Sequence, residues 1–92
     1  MKYEIVSTSK FNKDLKLARK QGLNLEKIGI VVDKLAQGEK LPSKYKDHLL
    51  SGRYKGYRDC HIDPDWILIY KIDKKVEILE LIRTGSHSDL FK

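Results

Sequence analysis

Three histidines, His48, His61 and His87, are the side chains of this sequence best suited to proton transfer near neutral pH. An ordinary imidazole titrates near pH 6.5, so it can both accept and donate a proton there. Asp65 follows His61 closely in sequence, and Arg83 precedes His87. Cleavage of RNA by attack of its own 2′-hydroxyl needs a base for that hydroxyl and an acid for the leaving 5′-oxygen. An arginine beside them can hold the phosphate and stabilise the charge that builds up on it. Exposed aromatic rings can stack on unpaired bases, and Trp66 and Phe91 are candidates. A metal site is the rival chemistry, since His48, His61, Asp65 and His87 are all zinc-ligand types. Pro64 and a turn separate His61 from Asp65, however, and the surrounding positive charge opposes a cation. No metal is therefore expected. Any one of these histidines alone reads best as a hydrogen-bonded surface or core residue; their joint placement makes the case. Cys60 shares a face with Ile62, should be buried, and is a poor nucleophile.

The elements that must bring these residues together can be read from the pattern. YEIV near the start suits a short strand. STSK offers a helix cap at Ser7, Thr8 or Ser9, followed by Phe11, Leu15 and Ala18 at helical spacing and Gly22 as a stop. A second helix is expected after Asn24, with Leu25, Ile28, Val32 and Leu35 as its apolar stripe and Gly38 at its end. Together these should form a helical hairpin. Residues 39–55 show no sustained period and read as a long connection. From Tyr57 to Ile62 the alternation puts Tyr57, Asp59 and His61 on one face and Arg58, Cys60 and Ile62 on the other. DPD makes a turn, WILIYKI has the apolar continuity of a strand covered on both faces, and VEILELIR follows after DKK. The expected fold is α+β: an N-terminal strand and two helices packed on one face of an antiparallel meander, the other face open, with a short C-terminal tail or helical turn. In that meander His61 and Arg83 fall at the same end of the sheet. His87 lies close by, His48 can fold back, and Trp66 either caps the core or meets a ligand. A chain cut before Ser86 is expected to fold without activity.

Ninety-two residues suffice for one domain spanning 1–92. Apolar residues make up 40% and charged residues 35%, which excludes a disordered chain, and no apolar run is long enough for a membrane span. The first ten residues lack a secretory apolar stretch and there is a single cysteine, so a cytoplasmic protein is expected. The +6 net charge is concentrated in two places. Lys10, Lys13, Lys16, Arg19 and Lys20 stand against Asp14 alone, and Lys40, Lys44, Lys46, Arg53, Lys55 and Arg58 against Asp47 alone. Two basic patches on an otherwise acidic body suit an anionic partner such as nucleic acid, although lysine runs also serve as solvated faces.

The blocks YKDHLLSGRYKGYRDCHIDPDWILIYKI and LIRTGSHSDLFK resemble the YafQ-type toxins of bacterial toxin–antitoxin modules, within the RelE-like superfamily of ribosome-dependent mRNA endonucleases. The specific part of the likeness runs from Tyr45 to Phe91; the first forty residues match in pattern only. The resemblance implies a compact RelE-like fold that enters the ribosomal A site and cuts messenger RNA to a cyclic phosphate, without metal or other cofactor. It implies a catalytic set at His48, His61, Asp65 and His87. Arg83, Trp66, Phe91, Lys46, Lys55 and Arg58 would then meet RNA, and Lys10, Lys13, Lys16 and Lys20 the ribosome. His87 is the expected acid or base nearest the phosphate, with Asp65 or His61 opposite. The implied partners are a cognate antitoxin, the ribosome and messenger, and operator DNA only through the toxin–antitoxin complex. The rival function is a non-catalytic ribosome- or nucleic-acid-binding module of the same fold.

Overall fold

The computed structural model describes residues 2–91. Strand β1 (Glu4–Ser7) leads into helix α1 (Ser9–Lys20), whose cap is Thr8: its hydroxyl oxygen accepts from the Phe11 N–H at 3.0 Å. The same hydroxyl donates to the Ile82 carbonyl at 2.7 Å, so the cap also ties the helix to the far end of the chain. Asn24 caps helix α2 (Leu25–Ala36) by accepting from the Glu26 N–H. Gly22 and Gly38 follow the two helices at φ +80° and +81°, the left-handed conformation that closes a helix end and favours glycine. The buried face of α2 is Ile28, Val31, Leu35 and Ala36; Val32, expected on it, is half-buried.

Five strands form one sheet in the order β1-β5-β4-β3-β2. Strands β3 (Arg58–Asp63), β4 (Trp66–Asp73) and β5 (Ile78–Gly85) are the expected meander, and β1 joins it alongside β5 as a parallel strand. Strand β2 (His48–Leu49) was not foreseen. It is only two residues long, set between 3-10 turns at Ser43–Tyr45 and Gly52–Tyr54, and pairs His48 with Asp59 and Leu49 with Arg58.

Helix α1 lies over β5 and α2 over β3, covering the face from which Cys60, Ile62, Trp66, Leu68, Tyr70, Leu79 and Leu81 project. The opposite face is not open. Ile67 and Ile69 project there and are fully buried beneath Leu90, with Leu50, Tyr54, Tyr57, Ile82 and Phe91 around them. Leu90 belongs to a one-turn helix, α3 (His87–Leu90), capped by Ser86, whose Oγ accepts from the Asp89 N–H. The unbroken apolar run of β4 was the correct signal, because a strand without polar alternation must be covered on both sides. The C-terminal segment supplies that cover and is part of the fold. A cut before Ser86 would uncover Ile67 and Ile69, so a well-folded truncation is not expected. Leu90→Ala should destabilise the protein by about 2–4 kcal/mol, the usual cost of emptying a buried leucine site, as measured by urea unfolding.

Candidate active site

The face sealed by Leu90 also carries candidate residues of the site. Across four strands, His48 pairs with Asp59, Asp59 with Ile69, and Ile69 with Arg83. In the parallel row His61 stands opposite Ile67, and Ile67 opposite Gly85. Between Tyr70↔Leu81 and Ile69↔Arg83 the register shifts, leaving Ile82 as the extra residue of a bulge. Such bulges bend a strand and re-aim its side chains, and this one lies directly before Arg83.

At the centre of the row is Asp59, 1% exposed. Its Oδ1 lies 3.2 Å from His48 Nδ1, an ion contact, but no group completes a well-formed hydrogen bond to it. Burial raises the carboxyl pKa, and positive charge on His48, His61 and His87 pulls it back down. Of the three histidines, His48 is the one in contact with this carboxylate, and His61 stands two residues further along the same strand. His48 Nδ1 also lies 2.7 Å from the Lys46 carbonyl. With two acceptors at Nδ1, that nitrogen carries the proton, which leaves Nε2 as the free basic atom of the neutral ring.

His87 is held differently. Its ring lies 4.8 Å from that of Phe91, which meets Tyr54 edge-on at 5.6 Å, while the Tyr54 hydroxyl donates to the Leu90 carbonyl. Asp65, in the β3–β4 turn, accepts from the backbone N–H of His87 at 3.3 Å. This contact places Asp65 at the start of α3, holding the segment that presents the imidazole.

Arg83 is gripped by α1. Its Nε and Nη2 donate to the two oxygens of Asp14 at 2.6 and 3.1 Å, and the Thr84 N–H donates to the same carboxylate. The Asp14 hydrogen bonds raise the guanidinium pKa further, and Tyr54 stands beside it. The Thr84 hydroxyl in turn donates to the Ile67 carbonyl and accepts from Trp66 Nε1. Trp66, expected next to RNA, is 2% exposed in the core beneath the helices and has no ring face to offer a base. Arg58 is likewise on the helix side of the sheet, paired with Tyr70 in register and bonded through Nε and Nη2 to Asp47. Lys46, Lys55, Lys10, Lys13, Lys16 and Lys20 are all exposed. Burial pushes the Cys60 thiol pKa far up, in keeping with an inert core cysteine.

The structure therefore assembles His48, His61 and His87 with Arg83 and Phe91, and sets Trp66 and Arg58 apart from them. Asp59 was missing from the sequence-derived set, although the alternation had placed it on the face of His61. Its ionisation works against the fold: the pKa is above the unfolded-chain value near 3.8, so the contribution favouring the fold at low pH is lost as pH rises through the folded value. Asp59→Asn, which removes the buried charge but keeps a polar side chain of the same shape, should accordingly be more stable than the parent at pH 7. The difference should shrink towards pH 4, as read from urea unfolding at both pH values.

Residues 3–92 match the family described as "Bacterial toxin of type II toxin-antitoxin system, YafQ". The chain is 44% identical over 89 residues to the mRNA interferase toxin YafQ of Escherichia coli strain K12, covering 96% of this chain and 95% of that protein. It superimposes on the crystal structure of YafQ from E. coli BL21(DE3) with a TM-score of 0.92 at 41% identity, over 98% of this chain and 99% of the other. The E. coli DinJ–YafQ complex gives a TM-score of 0.89 at 42% identity with the same coverage. With the match extending over nearly the whole length, fold and sequence agree: this chain belongs to the YafQ family of bacterial toxins from type II toxin–antitoxin systems.

Proposed function

We propose that this protein is an endoribonuclease that cuts ribosome-bound messenger RNA by attack of a 2′-hydroxyl on the adjacent phosphate. The observation that carries the reading is the contact of His48 with the buried Asp59, on the strand face that also bears His61, with the phosphate-binding type Arg83 in the same row of pairs. The name of the E. coli relative, an mRNA interferase, supports the substrate class.

His48 suits the base. Its Nδ1–H is directed at Lys46 O and Asp59, so Nε2 can accept the 2′-hydroxyl proton, and Asp59 stabilises the imidazolium that forms. The new bond from the 2′-oxygen to phosphorus expels the 5′-oxygen and leaves a 2′,3′-cyclic phosphate. His87, braced by Phe91 and by Asp65 at its backbone, suits the acid that protonates the leaving oxygen. Arg83 is held by Asp14 through Nε and Nη2 and keeps further N–H donors, which favours stabilisation of charge on the phosphate oxygens. His61 lies two residue pairs further along the strand than Asp59, on the same face, and would contact the chain of the substrate.

The exposed lysines of α1 present a basic surface suited to ribosomal RNA, and an antitoxin rich in acidic residues would mask it. The DinJ–YafQ complex supports a protein partner of this kind. Operator DNA would be bound through that complex, and the setting of all these steps is the cytoplasm. We take residues 1–92 as one catalytic domain.

His87→Gln, which keeps a polar side chain of similar length at this exposed position but cannot titrate, should reduce cleavage of ribosome-bound messenger by about 10²–10⁴ with unfolding free energy near the parental value. The pH–rate profile of the parent should be bell-shaped; His48→Gln should flatten its acidic limb and His87→Gln its alkaline limb. Parental rates in both folded variants would contradict the assignment.

A further inference from the structure

A groove of about 430 Å³ opens beside His61, between α2 and the 3-10 turn at Ser43–Tyr45. Its charge is one-sided. The one carboxylate lining it, Asp63, is held by Lys27 Nζ at 3.1 Å to both oxygens. Lys44 and Lys46 also line it, and among the described residues neither pairs with a carboxylate. Apolar surface completes it: Ile30 is 54% exposed, and Tyr45 is half-buried against the core with Lys44 Nζ lying 5.1 Å from its ring centroid. This is the composition of a nucleotide site, with cations for phosphate and a ring and an aliphatic side chain for a base.

The groove is also joined mechanically to the histidines. His61 is part of its wall. Lys46 sits at φ +51°, a left-handed backbone that non-glycine residues seldom adopt, and its carbonyl is the group that faces His48 Nδ1. A phosphate drawn in by Lys44 and Lys46 would press on the same residue that sets the orientation of His48.

We propose that this groove is the subsite for the messenger nucleotide next to the scissile phosphate, with Lys44 and Lys46 holding one or two flanking phosphates and Tyr45 and Ile30 forming the wall against the base. The proposal rests on the nuclease reading above and names where that enzyme holds its substrate. The occupant is single-stranded substrate RNA rather than ribosomal duplex or an acidic protein segment, because His61, in the groove wall, is also the residue proposed to contact the substrate chain.

The test is binding of the full chain to a fluorescent hexanucleotide carrying 2′-O-methyl groups throughout, which has no nucleophile to react. Affinity is measured against salt for the parent, for K44Q/K46Q and for Lys74→Gln as a control at the distant β4–β5 turn. Each phosphate neutralised in a single strand contributes about 0.7 to the slope of log affinity against log salt, so K44Q/K46Q should be shallower by up to about 1.4. Lys74→Gln should retain the parental slope. An unchanged slope in K44Q/K46Q would overturn the proposal. So would equal, lysine-dependent binding of an RNA duplex or of an oligoglutamate peptide. A parent that cuts ribosome-bound messenger while K44Q/K46Q keeps its slope removes the groove and spares the nuclease. A parent that shows the expected slopes but never cuts does the reverse.

Discussion

Strand β4 is buried on both faces, and most of the architecture follows from that constraint. Trp66, Leu68 and Tyr70 need one cover, which α1 and α2 provide; Ile67 and Ile69 need another. The second cover comes from the segment around Tyr54 and from Leu90 at the end of the chain. Bringing Leu90 down onto Ile67 and Ile69 fixes α3, and α3 begins with His87. The placement of His87 over the sheet is therefore a by-product of hydrophobic closure. Phe91 and Asp65 refine the position of a segment that packing has already delivered.

The histidine on the opposite side of the site is delivered by polar contacts. Strand β2 is two residues long, too short to be secured by its ladder alone. On the helix side Asp47 accepts from Arg58 and from the Tyr70 hydroxyl at 2.5 Å; burial and this bond both push the tyrosine pKa far up. On the site side His48 reaches Asp59 and Lys46 O. Consecutive residues are thus clamped to opposite faces of the sheet. The clamp uses Arg58, which explains why a cation in a basic stretch faces inward, and it leaves Asp59 buried with incomplete hydrogen bonding. In the proposed mechanism that cost to folding is offset by the role of Asp59 beside His48.

Much of this was legible in the residues. The caps at Thr8 and Asn24, the glycine stops, the alternation of β3 and the continuous run of β4 led to the correct elements and to the placement of His61 and Arg83 at one end of the sheet. Two residues cannot display a period, so β2 was invisible, and with it the pairing of His48 with Asp59. The role of Leu90 was hidden because apolar residues near a chain end carry no periodic signal. Arg58 and Trp66 show a different failure. Alternation had already put Arg58 with Cys60 on the helix side, but charge and proximity to a motif drew it into the site set. Only the pairing with Asp47 shows where its charge is used. Trp66 could be a core cap or a stacking platform from sequence alone, and its bond to Thr84 inside the core fixes it as the former.

The proposed mechanism has an acid–base pair of imidazoles break the RNA chain through its own 2′-hydroxyl. The chemical nature of the ends made in messenger RNA after brief induction tests it most directly. Attack by the 2′-hydroxyl leaves downstream fragments with a 5′-hydroxyl and upstream fragments whose 3′ ends carry a 2′,3′-cyclic phosphate or its ring-opened product. New 5′ ends bearing a phosphate, the signature of attack by water, would contradict it, as would an absence of new ends while translation stops.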